Sequence, residues 1–152
     1  MRIAVLAIGR ARNELTTRIF DDYMARLPWP YKLRELQEIR PLNVEKRKQR
    51  EADLLLGAVP ERALAIALDG GGKMLSSEEF ARRIGAWRDD GVPCVAFLIG
   101  GADGHGAAVL KRADLTLSLG PMVWPHLLVR AMLAEQLWRA ASILSGHPYH
   151  RA

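Results

Sequence analysis

Near its C-terminal end the chain carries HPYHR at positions 147–151, which sets His147, Tyr149, His150 and Arg151 within five residues of one another. An imidazole takes or gives a proton near neutral pH, a phenol ring stacks on a flat heterocycle, and a guanidinium holds a phosphate. Together they read as a polar arm for a nucleic-acid base, with Tyr149 stacking and His150 and Arg151 supplying hydrogen bonds and charge. The two histidines do not read as a zinc site, because three or four ligands are needed and no matching cluster stands out elsewhere. Arg130 and Arg139 fall in a long apolar stretch where an unpaired charge is costly, so each should find a carboxylate, phosphate or carbonyl partner. His126 reads as a structural hydrogen-bonder, and Asp103 and His105 as ordinary loop residues.

A second group is defined by glycine. Gly100, Gly101, Gly104 and Gly106 remove side-chain bulk and let a backbone approach a ligand closely. Their G-G-x-x-G-x-G spacing is not the G-x-G-x-x-G of dinucleotide binding, and the acidic partner about 20 residues later is missing, which argues against a nicotinamide-dependent oxidoreductase. Lys46, Arg47, Lys48 and Arg50 lie beside Glu45 and Glu51 and read as a solvated helix face.

These residues need elements to hold them. The run Ile3, Val5, Leu6 and Ile8 predicts a buried strand over 1–9, and Leu15, Ile19, Tyr23 and Leu27 recur at helical spacing over roughly 14–26. A strand is expected at 31–39, a charged helix at 45–57 and a buried strand at 63–68, followed by a flexible turn at 69–73. Ser76 with Glu79 three residues on has the form of a capping box, opening a helix that ends before Gly91. Then come a strand at 92–99, the glycine loop 100–106, a short helix at 107–112, a strand at 114–118, a loop at 119–125 and a last helix over 125–145. Strands alternating with helices predict one α/β domain with a mainly parallel sheet, in which ligands sit beyond the carboxyl ends of strands. That rule points to the segments after Leu68, Ile99 and Ser118. Because the last helix is apolar on nearly every side, it is expected to pack on its own core and on a second copy of the chain.

Composition narrows the class. The 22 Lys and Arg outnumber the 17 Asp and Glu, and the net charge of +5 is compatible with a polyanionic partner. A single cysteine, Cys94, requires no oxidising compartment, and the apolar N-terminal run is too short for a membrane span, so a cytoplasmic location is expected.

With these pieces in place the chain resembles a known family. MRIAVLAIGR at the start, ALDGGGKMLSSEEFA at 67–81, LIGG at 98–101, and SLGPMVWPHLLVRAMLAEQLWRA at 118–140 followed by HPYHR are similar to the ribosomal RNA large subunit methyltransferase H family, of the SPOUT superfamily. The resemblance runs in order along nearly the whole chain. It implies a single SPOUT domain over 1–152 with a C-terminal trefoil knot, a homodimer, and a functional tail at 146–152. It further implies S-adenosylmethionine as methyl donor, held by Leu68, Gly100, Gly101, Leu119, Gly120, Pro121, Met122, Val123 and Trp124, without a metal. The implied acceptor is N3 of a pseudouridine in 23S rRNA of the assembled ribosome. The residues set against that acceptor are His150 and Tyr149, for moving the N3 proton, with Arg139 and Arg151 binding phosphate or orienting the base. Two rivals share the fold: a SPOUT enzyme acting on tRNA, and a ribosome-binding protein without catalysis.

Overall fold

A computed structural model describes residues 1–12 and 14–151; Ala152, the end of the expected tail, lies outside the described residues. Among those described, five strands alternate with five helices: β1 (Arg2–Ile8), α1 (Glu14–Ala25), β2 (Tyr31–Leu36), α2 (Val44–Ala58), β3 (Leu64–Met74), α3 (Ser77–Asp89), β4 (Cys94–Ile99), α4 (Ala107–Arg112), β5 (Leu115–Ser118) and α5 (His126–Ser145). The strands form one parallel sheet in the order β2-β1-β4-β3-β5.

Sheet position follows from side-chain chemistry. Every residue of β4 is buried, and all of β1 but Arg2, as expected for strands covered on both faces. The charged β2 takes an edge, where Lys32, Arg34 and Glu35 remain in water and discourage pairing with another sheet. On one face Val5, Ile66, Phe97 and Ile99 meet Phe20 and Met24 of α1, Phe80 and Ile84 of α3, and Leu133 and Leu137 of α5. On the other, Leu6, Ala65, Ala67, Ala96 and Leu98 meet Ala52 and Leu55 of α2 and Val109 of α4. The helix ends obey local rules. Asn43 caps α2 by accepting from the Lys46 amide at 2.9 Å, Ser76 and Glu79 close the expected capping box, and Gly146 ends α5 in the left-handed conformation.

Residues 69–73 depart from the expected turn: they belong to β3, which continues to Met74. Leu68 pairs with Leu117, and after a bulge Lys73 pairs with that same residue. A run of glycines carries no side-chain pattern, so its strand character comes from the β5 backbone alone. Gly72 makes this possible, since a Cβ there would lie 2.7 Å from the Thr116 carbonyl.

The last helix packs on its own core as expected, with α1 on one side and α3 on the other burying Ala131, Leu133, Ala134, Leu137, Ala140 and Ala141, while Leu127, Leu128, Val129 and Met132 stay half-buried. Exposed apolar surface includes Met122, Val123 and Trp124, with Met74 of β3, as well as Leu15, Ile39 and Val44; Val123 is 97% exposed.

Candidate functional site

Strands β4, β3 and β5 are neighbours, so the segments that follow Ile99, Leu68 and Ser118 converge at one end of the sheet. There they enclose a cleft of about 240 Å³, lined by all nine of the residues assigned to donor binding: Leu68, Gly100, Gly101, Leu119, Gly120, Pro121, Met122, Val123 and Trp124.

Backbone makes most of this cleft. Leaving β4, the chain turns at once, the Gly104 amide donating to the Gly101 carbonyl at 3.0 Å with Gly104 at φ +80°. A Cβ at Gly100 would sit 3.1 Å from the Gly104 carbonyl carbon, and one at Gly101 would sit 2.9 Å from Glu51 Oε2. Across the cleft, Gly120 has φ +109°, and Ser118 holds the turn. The Ser118 hydroxyl accepts from the Gly120 amide at 3.1 Å and lies 3.1 Å from the carbonyls of Gly70 and Gly120, tying the exit of β5 to the bulge of β3. The walls add Leu68, Leu119, Trp124 and Val129, while Asp69 is the one carboxylate among the described lining residues. A flat heteroaromatic ring carrying a cationic group fits such a place: apolar faces to cover it, open backbone groups to read its edge, and an anion at the mouth.

Three polar residues around the cleft have surroundings that the sequence alone does not reveal. Buried His105 has Nε2 3.2 Å from the Leu98 carbonyl, which assigns the proton to that nitrogen, and burial pushes its pKa down. Glu51, expected on a solvated helix face, is only 8% exposed and lies behind Gly101; burial, reinforced by Asp103, raises its pKa against the opposing pull of Arg47. His126 opens α5 at the cleft wall, and burial, with Arg130 nearby, holds its pKa down. Only Ser118 and Glu51 carry a usable signal, a hydroxyl on the last residue of a strand and a carboxylate in phase with Ala52 and Leu55.

Arg130 finds the partners expected of it. At 3% exposure it donates to Glu35 at 2.6 Å and to the carbonyls of Gly9 at 2.7 Å and Ile8 at 3.2 Å, which pins the start of α5 to the end of β1. Burial works against the charge on Glu35, yet the Ala11 amide and Arg130 hold its pKa below the usual carboxylate range.

The tail residues assemble elsewhere. Tyr149 donates its hydroxyl to Glu135 at 2.9 Å, stands 3.2 Å from the Tyr23 hydroxyl, and packs its ring on Trp138. The Arg139 guanidinium lies 4.9 Å from the centre of that ring and donates to Glu135 through Nε at 2.9 Å. His150 is held between Arg139, 3.3 Å from Nδ1, and Glu78, 2.9 Å from Nε2. Arg151 is exposed. None of these four residues lines the cleft. From His126 to Arg139 the axis of α5 runs about 20 Å, so one chain carries two separate clusters.

Among the described residues no three His, Cys, Asp or Glu side chains are grouped to hold a metal ion, and no helix is long and apolar enough to cross a membrane.

The family described as Predicted SPOUT methyltransferase matches residues 1–150. A protein named Ribosomal RNA large subunit methyltransferase H from Rhodospirillum centenum is 54% identical over 152 residues, the whole of both chains. Its namesake from Paramagnetospirillum magneticum is 56% identical over 151 residues, 99% of each chain. A probable methyltransferase from Bordetella pertussis Tohama I, of solved structure, shares the fold at 13% identity, with a TM-score of 0.63 over 92% of this chain and 96% of that one.

Proposed function

The chain belongs to the ribosomal RNA large subunit methyltransferase H family of SPOUT methyltransferases, and from that premise we propose that it is an rRNA methyltransferase using S-adenosylmethionine. Its acceptor is N3 of a pseudouridine in 23S rRNA of the assembled ribosome, and it acts as a cytoplasmic homodimer whose C-terminal part is threaded as a trefoil knot. The observation that carries the donor assignment is the convergence of nine residues at strand ends and the segments after them on one cleft with apolar walls and an approachable backbone. Knot and acceptor rest on the family alone.

Bound S-adenosylmethionine supplies a methyl group on a sulfonium, already activated for transfer. What falls to this chain is placement, and holding two reactants in line is worth about 7–11 kcal/mol. Leu68, Leu119, Met122 and Trp124 would supply apolar cover for the donor's ring, while Gly100, Gly101 and Gly120 would offer approachable backbone groups. Pro121 and Val123 shape the outer lip.

The acceptor nitrogen bears a proton that must leave as the new N–C bond forms. His150 is the candidate base. Its Nδ1 faces an Arg139 N–H, which places the ring proton on Nε2 toward Glu78, so accepting a proton requires Arg139 to release Nδ1. Burial, with Tyr23 and Glu135, raises the Tyr149 pKa, so Tyr149 stays a phenol that positions rather than a phenolate that abstracts. Arg139, kept charged by Glu135, and exposed Arg151 serve the phosphates or the base.

The distance between cleft and tail supports the homodimer. A second copy would bring its tail to this chain's cleft, and exposed Met74, Met122, Val123 and Trp124 give it apolar surface to cover. The test is transfer of labelled methyl to ribosomes lacking the modification, mapped by nuclease digestion, with free 23S rRNA and tRNA as controls. Label on the large-subunit pseudouridine that requires intact ribosomes is the expected result; label only on tRNA transfers the chain to another SPOUT activity.

A further inference from the structure

The two faces of the sheet are not equally covered. Three helices shield one face, while the other has α2 and the two-turn α4. Helix α2 ends at Ala58, leaving a corner of the sheet open where β1 and edge strand β2 begin. This corner is a groove of about 370 Å³, remote from the donor cleft: its floor is Ala4 and Leu6, one wall is Gly57, Val59 and Pro60, and Pro30 closes one end.

Strand alternation decides what lines the rim. Residues 2, 4 and 6 of β1 point to the same face, and pairing sets Ala4 beside Lys32 and Leu6 beside Arg34. Arg2, Lys32 and Arg34 therefore stand around one groove, with no acidic residue among its described lining residues. Of the nearby carboxylates, Glu35 pairs with Arg130, Glu38 with Arg40 and Arg50, and Asp53 with Arg50, while exposed Glu61, next to Pro60, is not among the lining residues. Three cations left without counter-charge over an apolar floor, in a chain of net charge +5, are complementary to a polyanion that also has flat or apolar parts.

We propose that this groove is a second RNA-docking surface, which seats a single-stranded backbone segment of ribosomal RNA with phosphates on Arg2, Lys32 and Arg34 and a ribose or base against Leu6, Val59 and Pro60. It rests on the reading of the chain as an rRNA methyltransferase and adds where the substrate is held away from the reacting base. Such phosphate contacts fix register and orientation on the RNA, while the tail meets the reacting base.

The experiment uses the full chain and intact ribosomes lacking the modification. In the double variant Lys32→Ala/Arg34→Ala, both side chains being exposed, the fold and the affinity for S-adenosylmethionine stay as in the wild type. The affinity for ribosomes falls about tenfold, and the slope of log K against log salt becomes shallower by about 1.4, near 0.7 for each single-strand phosphate contact removed. The charge-preserving Lys32→Arg/Arg34→Lys pair keeps the wild-type slope. Because a Cβ at Gly57 meets nothing within 4 Å, a photo-crosslinking benzoylphenylalanine can be set there, and a nuclease-sensitive adduct is expected. Unchanged affinity and slope overturn the proposal, as does a crosslink to ribosomal protein alone. Wild-type protein that methylates no ribosomal RNA sinks the substrate reading and this surface with it, whereas active wild type with an unaffected double variant sinks the surface alone.

Discussion

The cleft near the start of α5 and the tail cluster near its end are built from opposite materials. Around the cleft, glycines and strand ends set the shape: Gly100, Gly101, Gly104 and Gly120 allow turns that side chains would obstruct, and Ser118 binds only backbone groups. In the tail, backbone matters little and side chains do the holding, with Glu135 accepting from both Arg139 and Tyr149, and His150 linking Arg139 to Glu78. A backbone-built site loses function when atoms are added. One built from charged side chains loses it when atoms are removed.

The largest expected effect removes atoms from the tail. Arg139→Ala deprives Glu135, the Tyr149 ring and His150 of a shared partner, and methyl transfer to ribosomes should fall at least a hundredfold, as losing about 2.7 kcal/mol or more would give. Donor affinity by calorimetry should not change. If donor binding falls in parallel, the two clusters are not separable and the comparison fails. The converse experiment adds one carbon to the cleft. Gly100→Ala places a Cβ 3.1 Å from the Gly104 backbone, and overpacking of about 1–3 kcal/mol translates into a 5- to 150-fold loss of donor affinity. Circular dichroism and amide exchange at 147–151 should stay as in the wild type, and a loosened tail would count against independence.

How much of this the sequence reveals depends on the material. The apolar runs of β1, β3 and β4, separated by helical stretches, foretell the parallel sheet, and Ser76 with Glu79 foretells a helix start to the residue, because each signal is local. The cleft is legible for the same reason, since strand-end position follows from the strands themselves. Residues 69–73 are not legible, because Gly70, Gly71 and Gly72 carry no pattern and their pairing depends on β5, more than 40 positions away. Coverage of α5 is equally non-local: an apolar helix does not reveal in sequence which of its sides α1 and α3 cover. Glu51 was hidden by its neighbours, four cations that make one helix face look wet while its carboxylate turns under the glycine loop.

A smaller effect separates the tail's two kinds of contact. Tyr149→Phe keeps the ring on Trp138 and under Arg139 but removes hydrogen bonds to Glu135 and Tyr23. A hydrogen bond to a charged acceptor is worth about 1.5–3 kcal/mol, and the expected result is faster amide exchange confined to 147–151, with the global unfolding midpoint little changed. Exchange rates equal to the wild type would mean that stacking alone docks the tail.

Glu51 gives the smallest effect, and it tests whether any side chain is built into the cleft as the tail's are built into theirs. Burial beside Asp103 raises its pKa, so between the ordinary glutamate value of 4.5 and the higher folded value the native chain binds more protons than the unfolded one. The sign follows: the contribution of Glu51 to stability is fully present below pH 4.5 and is lost as pH rises through the folded pKa. Glu51→Gln keeps the shape and removes the titration. Urea midpoints measured from pH 4 to pH 8 should therefore show the variant gaining on the wild type as pH rises, by a margin that levels off once Glu51 is ionised. Parallel curves would mean that the carboxylate is hydrated in the folded chain. In that case the space behind Gly101 is open to water, and Gly101→Ala, whose Cβ is aimed at Glu51 Oε2 from 2.9 Å, should be tolerated where Gly100→Ala is not.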